Sequence, residues 1–383
     1  MENVAEYKEI IEVIKDQGGE VFKFCYQCGK CDTVCPWTRV TKFSMRKIVR
    51  QAAFGMTEIE NDDIWRCTTC GRCPQNCPRD VQQIRLTVSL RRVAAEYGVF
   101  PESVKPVRSI VGSLTGDGNP LNGERSKRGE WAKGLGVKKF NEDTEYLYFP
   151  GCYICYDPRM RKVGEATVKI LKKAGVNFGI LGEKENCCGE SIRKTGEEDL
   201  YKELAKENIK NFITAGVKKI IVSSPHCFHT FKNEYPDFCV NFEVIHITQF
   251  IYQLLQEGKL QINGKYEKTI TYHDPCYLGR HNGVFNEPRE ILKAIPGIKF
   301  VEMDEAYENS LCCGGGGGRI WMETEKEERF SNLRVEQAVN KNADILATAC
   351  PYCINMLEDS RVVMGYEDKI EIKDITEIVA QVI

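Results

Sequence analysis

The sequence predicts an α+β chain built from a helical N-terminal domain wrapped around two cysteine loops, followed by two related α/β lobes. Three observations carry this reading. Two runs of the form CxxCxxCxxxCP begin at Cys25 and Cys67, with helical periodicity around them. Past residue 143, short β-type runs alternate with helical segments. Three short cysteine landmarks then recur in the same order, the mark of an internal duplication.

In the first part, Val4, Tyr7, Ile10, Ile11 and Ile14 repeat at helical spacing and Gly18 and Gly19 end the pattern. Met45, Ile48, Val49 and Ala52 predict a helix between the loops, with Ser44 as its cap and Gly55 as its terminator. Ile84, Val88 and Val93 predict another over 81–97. This domain is expected to span 1–105. Residues 112–136 are rich in Gly, Asn, Pro and charge without a hydrophobic period, so 106–143 is expected to be a linker and the basic residues of 124–139 a solvated surface.

In the second part, runs at 146–149, 219–223, 269–272 and 344–348 read as strands. Segments 164–174, 201–215 and 329–340 read as helices, which predicts βα units with parallel strands. PGC at 150–152 answers DPC at 274–276, NCCG at 186–189 answers LCCG at 311–314, and SPHC at 224–227 answers CPYC at 350–353. The lobes are expected at 144–262 and 263–383.

With 383 residues, 42% of them hydrophobic, the chain can bury several cores. A formal charge of −2 offers nothing to attract a polyanion, so no nucleic-acid partner is expected. Residues 1–14 are acidic without a continuous apolar stretch, which does not fit a signal peptide, and no apolar run approaches the roughly 20 residues that span a bilayer. Nineteen cysteines are too many and too odd in number for a disulfide framework. The expected compartment is reducing and cytoplasmic, where cysteines held as thiolates are metal ligands or redox centres.

In a CxxCxxCxxxCP run three thiolates grip three corners of one cubane, and the fourth cysteine serves the other cluster of a two-cluster protein. Cys25, Cys28, Cys31 and Cys77 are therefore expected to hold one [4Fe-4S] cluster, and Cys67, Cys70, Cys73 and Cys35 the second. Two all-thiolate zinc sites are the rival, but the third CxxC step and the following Pro36 and Pro78 argue against them. The spacing, with Trp65 and Arg66 just before Cys67, resembles the helical ferredoxin domain of succinate dehydrogenase iron subunits and of heterodisulfide reductase.

Adjacent cysteines send their side chains in different directions, which suits a cluster of several metal atoms. The second lobe carries five such thiols, Cys276, Cys312, Cys313, Cys350 and Cys353, more than a cubane needs. This pattern resembles the CCG domain of heterodisulfide reductase, and the resemblance implies a noncubane [4Fe-4S] cluster that cleaves a disulfide. Joined to the N-terminal domain, the layout over 20–383 resembles the D-subunit family of heterodisulfide reductases. Related fusions serve glycolate and glycerol-phosphate oxidoreductases, sulfite-reduction membrane complexes, electron-transfer-flavoprotein oxidoreductases and benzoyl-CoA reductase complexes.

The first lobe departs from that pattern. Cys152, Cys187, Cys188 and Cys227 align, but Ser224 stands where the second lobe has Cys350, and Cys155 is the candidate compensating ligand. An iron-sulfur cluster of either kind, zinc and a vestigial lobe all remain open there. Gly314, Gly315 and the glycines after them are expected to bring backbone amides to a cluster, with Arg319 either near cluster or substrate or facing solvent. A phosphate cradle is disfavoured, since no GxxxxGK[ST] is present. His273 is a candidate proton donor, His226 and His229 read as surface or hydrogen-bonded, His246 as structural, and Cys239 as a buried hydrophobe.

The resemblance implies an iron-sulfur subunit of a heterodisulfide reductase-like oxidoreductase, passing electrons from the ferredoxin-type clusters to the second lobe, where a small disulfide would be reduced. The alternative is a relay without its own substrate, serving a flavoprotein, a benzoyl-CoA reductase-type complex, or a membrane quinone or cytochrome partner. Lacking a flavin or nicotinamide fingerprint, the chain is expected to work beside other redox subunits, in the cytoplasm or held at the inner face of the membrane by a partner.

Overall fold

In the computed structural model the described residues are 3–56 and 61–383; the side chains of Val4 and Tyr7, part of the first helical pattern, lie outside the description. The helix Asn3–Asp16 buries Ile14 and stops before Gly18, whose φ is +87°. Met45–Ala53 follows the predicted pattern, burying Met45, Ile48, Val49 and Ala52 in one stripe. The Ser44 hydroxyl caps it by accepting from the Lys47 amide at 3.0 Å. Gln83–Glu96 is the third predicted helix of this region.

Two parallel sheets form the rest. The first comprises β1 (Lys138–Lys139), β2 (Tyr146–Phe149), β3 (Phe178–Ile180), β4 (Lys219–Val222) and β5 (Glu243–His246), in the order β1-β3-β2-β4-β5. The second comprises β6 (Lys268–Tyr272), β7 (Ile298–Phe300), β8 (Ile345–Thr348) and β9 (Glu371–Asp374), in the order β7-β6-β8-β9. Apart from β1 the two orders are the same, and every pairing is parallel. The central strands β4 and β8 are buried on both faces, which is why they read as unbroken apolar runs. β3, β5, β7 and β9 are strands that the sequence does not predict: they are three or four residues long, and glycine or charge interrupts their patterns.

The duplication extends to the helix caps. His246 opens the helix Ile247–Gln256 with a capping box completed by Gln249, and Asp374 opens Ile375–Val382 with one completed by Glu377. Each lobe's closing helix packs on the other lobe's opening helix: Ile247–Gln256 on Asn286–Lys293, and Ile375–Val382 on Pro158–Lys173. Arg159 clamps the second contact, reaching Glu358 at 2.6 Å and Glu377 at 2.9 Å. The lobes therefore share one apolar core.

Residues 106–143 differ from the expected linker. Val107, Ile110 and Leu114 form the buried stripe of the helix Lys105–Asp117, Trp131 packs edge-on against Tyr148 at 5.9 Å, and β1 pairs with β3. Arg128, expected on a solvated surface, is 1% exposed. Past Asp117 the segment has little periodicity because it follows the surface of the first lobe, burying single side chains such as Trp131 and Phe140.

The N-terminal domain docks on the second lobe. Cys276, Tyr277, Cys312 and Phe330 belong to the same apolar cluster as Trp37, Met45 and Leu86, and Trp37 meets Phe330 edge to face at 5.1 Å. Arg39 grips Glu305 with two hydrogen bonds of 2.7 and 2.6 Å, and Arg66 reaches Glu328 at 2.8 Å.

Candidate metal centres

The two N-terminal loops wind alike. Gln27 and Thr69, at φ +65° and +52°, precede the second cysteine of each run, and Gly29 and Gly71, both at +81°, follow it. A left-handed threonine is sterically costly. Its neighbours hold it: Tyr277 Oη lies 2.8 Å from Thr69 Oγ1, and His281 Nε2 donates to the Thr69 carbonyl at 2.8 Å. The winding turns polar hydrogens onto sulfur, with the Thr69 amide 3.4 Å from Cys67 Sγ and the Val81 amide 3.3 Å from Cys77 Sγ.

Cys35 shares a cavity with Cys67, Cys70 and Cys73, whereas Cys77 and Cys28 both neighbour Tyr26. All nineteen cysteines are free thiols. Burial, and after it Asp32, pushes the Cys31 thiol up to about 12, and burial followed by the other thiols raises Cys73. Thiols packed this way ionise together beside a cation, so the donor set fits an iron cluster. The sets differ in depth: Cys28 is exposed, while Cys67 and Cys70 are buried.

In the second lobe the landmarks sit beyond the carboxyl ends of the parallel strands. Cys276 follows β6, and Cys350 and Cys353 follow β8. These strands flank the point where strand order reverses, the crevice in which open α/β sheets bind ligands. The helix Pro351–Val363 starts between Cys350 and Cys353. Cys312 and Cys313 lie in the segment after β7, and Cys353 Sγ is 3.4 Å from Cys313 Sγ, too long for a disulfide. Hydrogen bonds join Cys276 to Cys312, Cys312 to Cys313 and Cys350 to Cys353, so the five predicted thiols form one group. Gly314, at φ +96°, puts its amide 3.4 Å from Cys312 Sγ, and the Gly315 amide faces Cys313. His273 accepts from Arg334 at Nδ1, and the ring approaches Cys313 and Cys353 within 4.8 Å.

Arg319 does not face solvent, and Trp37, the ring under it, lines the cavity of Cys35, Cys67, Cys70 and Cys73. Arg319 donates to the Glu323 carbonyl at 2.9 Å, and no cysteine is among its hydrogen-bond partners. The glycines beside it face the N-terminal domain: a Cβ on Gly316 would collide with the Thr68 carbonyl. That close approach brings Cys312 Sγ to 3.7 Å from Thr68 Oγ1 and within hydrogen-bonding reach of Cys70.

In the first lobe, hydrogen bonds join Cys152 to Cys187, Cys187 to Cys188 and Cys188 to Cys227. Gly189 repeats the geometry of Gly314 at φ +86°, with its amide 3.5 Å from Cys187 Sγ. The Ser224 hydroxyl bonds to Cys227. Cys155 is buried beside Arg128 and Glu185 and does not line the cavity shared by the other four thiols. Arg128, which no sequence pattern singles out, lies 3.5 Å from Cys152 Sγ and 3.4 Å from Glu185.

That cavity lies between the lobes and is also lined by Glu190, His226 and Tyr352. His226 is stacked between Tyr277 and Tyr352, each 4.3 Å away, and its Nδ1 lies 2.8 Å from Glu190 Oε2. Burial opposes charge on this ring, but Glu190 and Cys350 outweigh it and lift His226 to about 10. Glu190 is held below the usual carboxylate range against the same burial. No motif joins these residues in sequence; their positions directly after CCG and inside SPHC were the available signal. His246 is structural, with Nδ1 accepting from the Thr248 amide and Nε2 donating to the Ser223 carbonyl. Cys239 is exposed rather than buried, at the left-handed end (φ +59°) of the turn Tyr235–Phe238.

Residues 21–81 match the 4Fe-4S dicluster domain, and residues 146–232 and 270–358 each match the CCG cysteine-rich domain. The D subunit of dihydromethanophenazine:CoB–CoM heterodisulfide reductase from Methanosarcina barkeri is 34% identical over 392 residues, 93% of each chain. The chain belongs to the D-subunit family of heterodisulfide reductases. The probable iron-sulfur-binding oxidoreductase FadF of Bacillus subtilis is 40% identical over 84% of this chain and 47% of its own. The EtfAB:quinone oxidoreductase of Syntrophomonas wolfei is 36% identical over 84% and 46%. The chain thus spans about half the length of these last two. As a family member with a dicluster domain and two CCG domains, it is an iron-sulfur protein. Among the described residues no helix is long and apolar enough to cross a membrane.

Proposed function

We propose that the chain is the electron-transfer subunit of a heterodisulfide reductase-like complex, conducting electrons inward from its N-terminal domain to its second lobe. The observation that supports this best is the contact of Cys70 with Cys312, which sets the inner N-terminal thiols against the second-lobe thiols. Cys25, Cys28, Cys31 and Cys77 would hold the outer cubane, and Cys67, Cys70, Cys73 and Cys35 the inner one. Cys276, Cys312, Cys313, Cys350 and Cys353 would hold a noncubane [4Fe-4S] cluster, and Cys152, Cys187, Cys188 and Cys227 a further iron-sulfur cluster. Bound there, such groups supply one-electron steps.

The chain itself would provide a proton. Reducing a disulfide to two thiols takes two electrons and two protons. His226, held by Glu190 at 2.8 Å and hydrogen-bonded to Cys350 of the second-lobe set, would supply one of the two protons there, and solvent would supply the other. The proposed partners are a flavoprotein and a membrane cytochrome or quinone-reactive subunit, on the cytoplasmic side; the relatives' names support that class. A relay with no substrate of its own is the second reading. It draws on the burial of the five second-lobe cysteines, none more than 7% exposed.

Iron and acid-labile sulfide analysis of anaerobically purified protein tests the core of the proposal. More than about eight iron atoms per chain, the complement of two cubanes, is expected. Fewer would overturn it. Titrating the oxidised protein with small thiols separates the two readings: a new paramagnetic signal supports a substrate site, and its absence beside intact cubane signals supports the relay.

A further inference from the structure

Two arginines reach the loop Cys67–Cys70, Arg91 buried and Arg280 half-buried, and among the described residues neither hydrogen-bonds to a carboxylate. Arg91, 0% exposed, donates to the carbonyls of Cys67 at 2.7 Å and of Ile64, Lys194 and Gly317 at 2.9 Å. Arg280, from the second lobe, donates to the Cys70 carbonyl at 2.7 Å and the Ser310 carbonyl at 2.6 Å, and its buried Nη2 has no hydrogen-bond partner. The nearby acid, Asp274, is committed to Arg289 through bonds of 2.7 and 2.9 Å. The charge on Arg280 faces the thiols of Cys70, Cys276 and Cys312 instead. Each cation therefore holds the carbonyl of an inner-set cysteine, Arg91 from the N-terminal domain and Arg280 from the second lobe.

The outer set is surrounded differently. Arg46 pairs with Asp32 at 3.8 Å and its side chain is 51% exposed, and Arg79 is exposed, so water and salt screen both. Arg72, beside the inner set, is matched by Glu305 at 3.3 Å. Arg91 and Arg280 are the cations, among the described residues, that donate to the carbonyls of Cys67 and Cys70, and the Nη2 of Arg280 is buried. Coulombic attraction is several-fold stronger there than at a hydrated surface.

We propose that Arg280 and Arg91 make the inner centre the electron sink of the N-terminal pair, raising its reduction potential above that of the outer centre and biasing transfer toward Cys312. One electron leaves the outer centre, oxidising it, and enters the inner centre, reducing it; no bond or proton changes. The added negative charge is stabilised by two fixed cations, so the reduced state gains more than the oxidised state does. Both are positioning residues: they act through the cysteine loop and do not touch a substrate. The inference rests on the inner and outer cubanes proposed above.

The test is a redox titration of the full-length protein followed by electron paramagnetic resonance, comparing wild type with R280Q, R91Q and R280K. R280Q and R91Q are each expected to shift the inner equilibrium at least tenfold toward the oxidised state, about 59 mV lower for a one-electron couple, with the outer centre unmoved. R280K keeps the charge and is expected to stay near wild type. An unchanged inner potential in both glutamine variants would overturn the proposal, as would equal shifts of both centres or an R280K shift as large as that of R280Q. If R280Q loses iron, R91Q still reads the charge; loss of iron from both makes the arginines loop anchors and also sinks it. Absence of two cubane signals in the wild type would instead remove the cluster reading itself.

Discussion

Gly316 and Gly112 show how much a single Cβ depends on its surroundings. At Gly316 the new carbon would meet the Thr68 carbonyl where the N-terminal domain closes on the second lobe, whereas at Gly112, inside Lys105–Asp117, it would meet nothing within 4 Å. Gly316→Ala is expected to cost about 1–3 kcal/mol by overpacking. Gly112→Ala should be neutral or stabilise by up to about 1 kcal/mol. Thermal unfolding of the two variants checks both signs. At the same scale, His226→Gln would leave Glu190 buried without its partner, a loss of about 3–5 kcal/mol. The double variant with Glu190→Gln should recover much of that loss in denaturant unfolding, as a coupled pair requires. The pair was not legible in the sequence, because the contact joins two short helices, Glu190–Lys194 and Pro225–His229, that the strand order brings together.

At the scale of elements, each lobe's last helix is set by one residue at the end of its edge strand. Asp374 accepts from the Thr376 amide at 2.9 Å while Glu377 accepts from the Asp374 amide at 2.9 Å, so Asp374→Ala removes the cap. The expected cost is about 1 kcal/mol, with faster hydrogen exchange confined to Ile375–Val382 and its contact with Pro158–Lys173. The long helices and central strands were legible because burial on one stripe or on both faces leaves a periodic or continuous apolar record. The edge strands left none. Their pairing is decided by neighbours, and β1, with both residues exposed, has no apolar pattern to read.

For the whole molecule, the decisive contact is the docking of the N-terminal domain on the second lobe. Glu305 gathers Arg39, Arg72 and Gln337 there. Burial favours its neutral form, but the Arg39 and Gln337 hydrogen bonds prevail and hold the carboxyl down to about 2. A depressed carboxyl contributes stability above its unfolded value, near 4.3, and loses it as pH falls from there toward 2. Wild type and Glu305→Gln should therefore differ most above pH 4.3 and converge below it. The difference is expected to be about 1 kcal/mol, because Arg39 is partly hydrated. Proteolysis at the domain junction across that pH range, run on both proteins in parallel, measures it.

The sequence by itself determined that this is a thiolate-rich redox chain with a helical dicluster region and a duplicated α/β part. Those properties depend on spacing along the backbone: two-residue gaps, adjacent cysteines and three landmarks that each occur twice. Tertiary structure alone decided which thiol set meets which. Cys70 reaches Cys312 because Gly316 lets two backbones approach, Cys155 turns away toward Arg128, and Arg280 places its charge at the loop Cys67–Cys70. Each of these relations crosses from one folded unit or segment to another, and strand order and surface fit create such distances without leaving a periodic trace in the chain.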